Sequence, residues 1–580
     1  MMMDFARFKR LKDVAAGFVP ADLVVRNARI VNVFTQEVVS GDVAVAEGMI
    51  AGLAGGRQGK EEIDAGGRFL VPAFIDAHVH IESSLVTPDV LSDVVVPRGV
   101  TCAVADPHEI ANVAVEIGIR YMVAASRGLP LECRIMLPSC VPATPLETAG
   151  AELPAASLRP LYGKEGIGGL AEMMNSPGVL YDDEVLRKVW DARQADAVVD
   201  GHGAILDAKG LDVYAALGIG SDHESLDAEG IRERLRRGIW TFIRHGTAAR
   251  NLELVKGIDA RNYRRACFCT DDRHLDDLVA EGGIDAAVRG AIALGLDPLL
   301  AISMASLNAA EAFRLHDRGA VAPGFRADFF LCDDLQTVQA NEVFAGGRLV
   351  ARGGRVLEPT AGKGPALPSA LLNSVRFKEF SSADLAIPLQ GAGRMNLIGV
   401  VPGQIITRLE VEAVSVKSGA FQPDAARDQA KLLVIERHRH TGNIGKCGLK
   451  GLGLRRGAIA STVAHDSHNL VIAGMYDADI RLAAAELERI GGGYAVAANG
   501  RILASLSLEV AGLLTRRPAA DVLADLAKLH AASLEVAEDR GFNIFLTLSF
   551  LALPVIPEVK LTDRGLVDVR KFDFIDPVAR

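Results

Sequence analysis

Val71-Pro-Ala-Phe-Ile-Asp-Ala-His-Val-His-Ile-Glu-Ser-Ser84 closes an apolar run with two histidines, His78 and His80, two residues apart. Side chains at i and i+2 of a strand project to one face, so two imidazoles here can hold a single cation at the mouth of a barrel. His-x-His also arises by coincidence in a chain with 13 histidines. The stretches downstream remove most of that alternative.

Beyond this motif, strand-like runs alternate with helical segments, the pattern of a parallel α/β barrel. Eight strands are expected, at 69–80, 100–106, 134–138, 168–172, 197–202, 218–223, 240–244 and 266–271. Nearly every one ends in a residue capable of chemistry. Strand ends in such a barrel converge on the face where active sites are built, so His78, His80, Glu172, His202, His223 and Asp271 would meet there. The expected fold class is α/β, a (β/α)8 TIM-like metal-dependent barrel over 69–317 with a flanking composite β-sandwich from 1–68 and 318–358. The sandwich rests on strand-like runs at 23–33 and 42–46, and on a second set at 327–332 and 343–350 with Gly346-Gly347 as a hairpin. Pro359, Gly362, Gly364, Pro365 and Pro368 mark 359–370 as a linker. Residues 371–580 read as an additional C-terminal α/β domain, with strands at 397–401, 431–436 and 470–473 and helices at 480–488 and 519–534.

The chain has 580 residues, 49% apolar and 23% charged, which fits two or three globular domains. Its net charge of −10 argues against a nucleic-acid or anionic-membrane partner, both of which call for basic patches. A small neutral or cationic substrate is easier to reconcile. The seven cysteines are scattered, with only Cys267 and Cys269 close together, as expected of reduced thiols in a cytoplasm. Charges run through 1–17, so no secretory leader is expected there, and 544–556 is too short to span a bilayer and reads as a buried core segment.

The residue types at the strand ends suggest two cations. His78 and His80 would hold the first, His202 and His223 the second, and Glu172 would bridge them because one carboxylate offers two oxygens. Imidazole suits Zn, Mn and Fe, while added carboxylates lean toward the harder members of that group. Asp271 would bind the first cation and take a proton from water acidified toward about pH 7.

These stretches resemble the amidohydrolase superfamily and, within it, the bacterial adenine deaminases. The resemblance rests on the opening motif, on Ala105-Asp-Pro-His-Glu-Ile-Ala-Asn-Val113, Gly169-Leu-Ala-Glu-Met-Met-Asn-Ser-Pro-Gly178, Asp200-Gly-His-Gly203, Ser221-Asp-His-Glu224, Phe268-Cys-Thr-Asp-Asp-Arg273 and Gly324-Phe-Arg-Ala-Asp328. Gly442-Asn-Ile-Gly445 and Ser461-Thr-Val-Ala-His-Asp-Ser-His-Asn469 resemble the extra domain of adenine deaminases. It implies hydrolytic deamination of adenine, a 6-aminopurine, to hypoxanthine and ammonia by a hydroxide bridging two divalent metals. Mn(II) or Fe(II) is expected, with Zn as an alternative, and the free base is expected to be preferred to its nucleoside. A small purine is the expected partner, with no nucleic acid and no membrane, and the chain is expected to form a homo-oligomer, a dimer or larger.

Further residues are candidates beside the ligands. His108 and Glu109 follow the second strand, where they would hydrogen-bond the purine or relay a proton to its ring or departing amine; Asp106-Pro107 as a turn into a helix explains the same residues. Asp272, Arg273, His465 and His468 are expected to contact substrate or support the site. His245 stands where the resemblance would place glutamate, and would either line the pocket or cap a loop. Two other activities remain open from the residues: deamination of an N6-substituted adenine, or hydrolysis of a cyclic amide such as a hydantoin or dihydropyrimidine. The latter typically bridges its metals with a modified lysine where Glu172 stands. A scaffold that had lost catalysis should have lost ligands, and all six are present.

Overall fold

The computed structural model describes residues 4–204, 206–389 and 393–579. The barrel strands are β1 (Phe74–Val79), β2 (Val100–Ala105), β3 (Glu132–Leu137), β4 (Ile167–Met173), β5 (Val198–Gly201), β6 (Ser221–Asp222), β7 (Trp240–Arg244) and β8 (Ala266–Cys269). They run parallel in chain order as β1 to β5 and β6 to β8. Two seams close the ring. Gly220 N–H donates to the Val199 carbonyl at 2.9 Å between β5 and β6, and past the ends of β1 and β8 the Asp271 N–H donates to the His78 carbonyl at 3.0 Å. The first and last motifs of the barrel are thus hydrogen-bonded to each other.

The run expected as one strand over 69–80 is two. Pro72 offers no N–H to continue a ladder, and the chain divides at Ala73. Phe69–Pro72 pairs with Phe329–Cys332 and Ala21–Asn32 in the flanking sheet, and β1 begins at Phe74. A register shift between Asp76 and Val79 then disturbs β1 beside the histidines, a position where bulges commonly re-aim side chains near active sites.

The flanking strands form one connected nine-stranded sheet rolled on itself. Met49 on one edge bridges Arg326, and Ile50 N–H donates to the Phe325 carbonyl at 2.7 Å. Leu23, Val25, Val43, Val45, Phe329, Leu331 and Phe344 pack inside the roll. Helix Phe5–Ala15, not anticipated from the sequence, is capped by Asp4 and lays Leu11 and Val14 against Val24, Ala44 and Ala46.

The stretch 359–370 is pinned to the barrel: Thr360 and Ala361 N–H groups donate to Asp93, and Gly362 N–H to Asp89. Beyond it stands an eight-stranded sheet. The strands and helices expected there are Arg394–Val400, Gln429–Ile435, Leu470–Gly474, Asp477–Ile490 and Ala519–Val536. Alternation along Gln429–Ile435 explains how the sheet serves two cores. Leu433 and Ile435 pack under helix Asp477–Ile490, while Leu432 and Val434 join an apolar cluster continuous with Leu137 and Met173 of the barrel. Period-two burial on both faces is what a central strand requires. The apolar segment 544–556 forms the helix Ile544–Phe550 and a turn, largely buried over the barrel mouth. No described helix is long and apolar enough to cross a membrane.

Candidate active site

The strand ends bring His78, His80, Glu172, His202, His223 and Asp271 together, and all but His202 are buried. Glu172 stands between the histidine pairs. Its Oε1 is 3.3 Å from His80 Nε2 and 3.8 Å from His78 Nε2, while its Oε2 is 2.8 Å from His202 Nδ1 and 3.4 Å from His223 Nε2. Asp271 Oδ1 completes the first group at 3.2 Å from His80 Nε2 and 3.6 Å from His78 Nε2.

Partners behind the ligands settle the tautomers of the first pair. His78 Nδ1 lies 2.8 Å from Asp200 Oδ2, and His80 Nδ1 lies 3.1 Å from the Asp106 carbonyl. Each Nδ1 therefore carries the proton, and the two Nε2 lone pairs face one another at 3.1 Å. Lone pairs aimed at one point, with carboxylate oxygens around it, repel unless a cation lies between them. The buried His, Asp and Glu clusters thus fit a divalent metal centre.

Burial alone would raise the Asp271 and Glu172 carboxyls. The Arg244 guanidinium outweighs it at Asp271 and His202 outweighs it at Glu172, so both are held well below the usual carboxylate range. Two residues given no role in the sequence reading belong here. Glu224 Oε1 lies 3.3 Å from His223 Nε2 and 3.7 Å from His202 Nδ1, as a third potential donor for the second pair. Arg244 ends β7, pairs with Glu224 and donates to Asp271 Oδ2 at 2.8 Å. Their signal was available: both are charged residues at or just beyond a strand end.

The cavity above these groups measures about 30 Å3, enough to hold water. Its roof comes from the C-terminal domain through Ile405, His465, Asp466, Phe550, Leu553 and Ile556. A larger crevice of about 670 Å3 adjoins it and shares Ala248, Ala249, Ile405 and Phe550 as walls. His108, Asp272 and His465 line the small cavity, with Ser83 Oγ donating to Asp272 at 2.5 Å.

Four other candidates do not line it. Glu109 sits behind His465, its Oε1 3.1 Å from His465 Nδ1, and His468 lies further back at 3.9 Å from Glu109 Oε2. Arg273 donates instead to the His245 carbonyl and to Glu281, both at 2.8 Å. His245 follows β7 on the outer side, where burial and the nearby Arg273 and Arg250 push its imidazole down to about 4. Asp272 and Arg273 are neighbours in a loop, so one side chain turns inward while the other braces the loop from outside.

Comparison with known proteins accords with this geometry. Residues 69–350 match the amidohydrolase family, and residues 404–573 match the adenine deaminase C-terminal domain. The adenine deaminase of Halalkalibacterium halodurans is 48% identical over 574 residues, 98% of each chain. That of Geobacillus kaustophilus is 47% identical over 563 residues, 97% of each chain. Among solved structures, the L-hydantoinase (dihydropyrimidinase) of Arthrobacter aurescens is similar at 14% identity with a TM-score of 0.44, covering 58% of this chain and 98% of its own. That likeness is too loose to bear on the chemistry. Relatives of the same length match from end to end at close to half of all positions, and the chain belongs to the adenine deaminase family.

Proposed function

We propose that this chain hydrolyses adenine to hypoxanthine and ammonia, acting on the free base. The observation that carries the reading is a single cavity walled by the histidine and carboxylate cluster of the barrel and roofed by the domain matching the adenine deaminase C-terminal family. His78, His80 and Asp271 would hold one divalent cation and His202 and His223 a second, with Glu172 between them and Glu224 beside the second. Mn(II) or Fe(II) suits this mixture of nitrogen and oxygen donors, with Zn as the alternative. Bound there, the pair supplies acidified water and charge to stabilise the adduct at C6.

The protein's own groups do the rest. Asp271 Oδ1 faces the cluster while Oδ2 is held by Arg244, which orients the carboxylate to take a proton from the attacking water. Asp200 fixes the His78 ring, and the apolar roof excludes solvent, strengthening the polar contacts beneath it. The seven free, buried cysteines support a cytoplasmic location. Exposed Phe5, Phe8 and Phe18 offer apolar surface that association into a homo-oligomer would cover.

The test is ammonia release by Mn-loaded and Fe-loaded protein offered adenine, N6-methyladenine, adenosine, hydantoin and dihydrouracil. Adenine should be turned over fastest. Ring opening of the cyclic amides without deamination, or faster turnover of adenosine than of adenine, would overturn the reading.

A further inference from the structure

Glu109, His465 and His468 form a buried group whose donor atoms lie within 4.8 Å of one another. It resembles a third metal site, but its tautomers exclude that. His468 Nδ1 accepts the Ala464 N–H at 3.0 Å, so the proton of the neutral ring sits on Nε2, the nitrogen turned toward Glu109. A nitrogen that carries a proton has no lone pair for a cation. The His468 N–H instead presents a positive edge to Glu109 and favours its charged form.

His465 is oriented from the other side of the same carboxylate. Its Nδ1 lies 3.1 Å from Glu109 Oε1 and donates to it, its ring stacks on Phe550 at 4.4 Å between centroids and 18° between planes, and it lines the catalytic cavity. Its Nε2 is buried with no partner among the described residues. His108, the other cavity histidine outside the ligand pairs, differs at both nitrogens: Nδ1 is 3.1 Å from Asp106 Oδ2 and Nε2 is 3.5 Å from Asp466 Oδ1. Of the two rings, His465 is the one with a nitrogen left unpartnered among the described residues.

Deamination of adenine requires two proton placements, one on ring nitrogen N1 and one on the departing N6, and a single Asp271 carries one. Resting on the adenine reading, we propose that His465 is the catalytic acid for the leaving amine and that Glu109 is the positioning residue that holds it. Water adds its oxygen to C6, and Asp271 moves its proton to N1. The C6–N6 bond then breaks with its electron pair on nitrogen. N6 takes the Nε2 proton of the His465 imidazolium and leaves as ammonia. The C6 hydroxyl returns a proton to His465 as the carbonyl of hypoxanthine forms, so the ring ends as it began. The C-terminal domain therefore supplies a reacting group as well as a cover.

The experiment compares adenine with 6-chloropurine, whose chloride departs without a proton, in the metal-loaded full chain. His465→Gln should lower kcat for adenine by about 10²-fold or more, the scale of a lost general acid. KM for adenine, metal content and 6-chloropurine turnover should each stay within about threefold of the unmodified chain. Glu109→Gln should act in the same direction by about tenfold, because it leaves His465 in place but unheld, and it keeps the comparison available if His465→Gln does not fold. Unchanged adenine turnover, or equal losses on both substrates in a folded variant, would overturn the proposal. An unmodified chain that hydrolyses 6-chloropurine but not adenine would instead mark the failure of the adenine reading.

Discussion

The floor of the catalytic cavity and its roof are held by different means. Below, His78, His80, Glu172, His202, His223 and Asp271 stand at the ends of strands in one ring, which is closed by backbone hydrogen bonds between the two motifs that carry ligands, and braced by Asp200 and Asp106. Above, Ile405, His465 and Phe550 come from separate segments of the C-terminal domain. They are tied by side chains rather than by one ladder, among them Lys560 Nζ, which donates to the Ile405 and Phe550 carbonyls at 2.7 and 2.8 Å. A ladder-bound floor preserves charge geometry to fractions of an ångström, as metal chemistry demands. A roof closed over about 30 Å3 must yield before a purine can enter, and separate segments held by side chains can move without breaking the barrel ladder.

Four changes would break or sharpen this contrast, beginning with the floor. Glu172→Gln removes the negative charge between the histidine pairs, and should lower the metal content below two ions per chain and cut kcat by roughly 10³-fold, the several kcal/mol that a metal centre contributes. Elemental analysis showing one tightly bound ion with full turnover would dispose of the two-ion floor. Asp271→Asn should retain much of the metal yet lose on the order of 10²-fold in kcat; a change confined to KM would reassign it to binding. Asp200→Asn leaves every ligand in place but weakens the hold on His78, and competition with a chelator should show affinity falling about 10- to 100-fold.

The Lys560 tie beneath the roof should respond least, and through stability. Burial pushes the Lys560 ammonium down to about 7 from its ordinary 10.5. Between those values the unfolded chain binds the extra proton, so this group makes stability rise with pH, by at most about 1.4 kcal/mol per unit. Below pH 7 the penalty of charging the buried amine is present in full. Lys560→Met should flatten that rise, seen as a smaller difference in Tm between pH 7 and 9, and should raise KM a few-fold by loosening Ile405 and Phe550. An unaltered pH dependence of Tm would show that Lys560 is not a buried clamp.

Much of the floor was legible because a barrel turns position into function: a polar residue at a strand end must lie at the mouth, whatever the rest of the chain does. Glu224 and Arg244 were missed for want of a role rather than of a position. The division at Ala73 was missed because Phe69–Pro72 and β1 are both apolar, and only pairing partners distinguish a strand of the flanking sheet from one of the barrel. For His245 and Arg273 the sequence left a pocket role and a supporting role open, and the structure bonds the Arg273 guanidinium to the His245 carbonyl, away from the small cavity.

By itself the sequence determined the alternating barrel, the identity of the six clustered residues and the kinship with adenine deaminases, since these depend on local periodicity and on short motifs. Only the tertiary structure decided that Glu172 presents one oxygen to each histidine pair, that Glu109 lies behind His465, and that His465 from a distant domain faces the same cavity as Asp271. The reason is physical. Periodicity specifies which face of an element is buried, but which elements meet across a cavity, and which nitrogen of a histidine is left free there, follow from packing and hydrogen bonds between segments hundreds of residues apart.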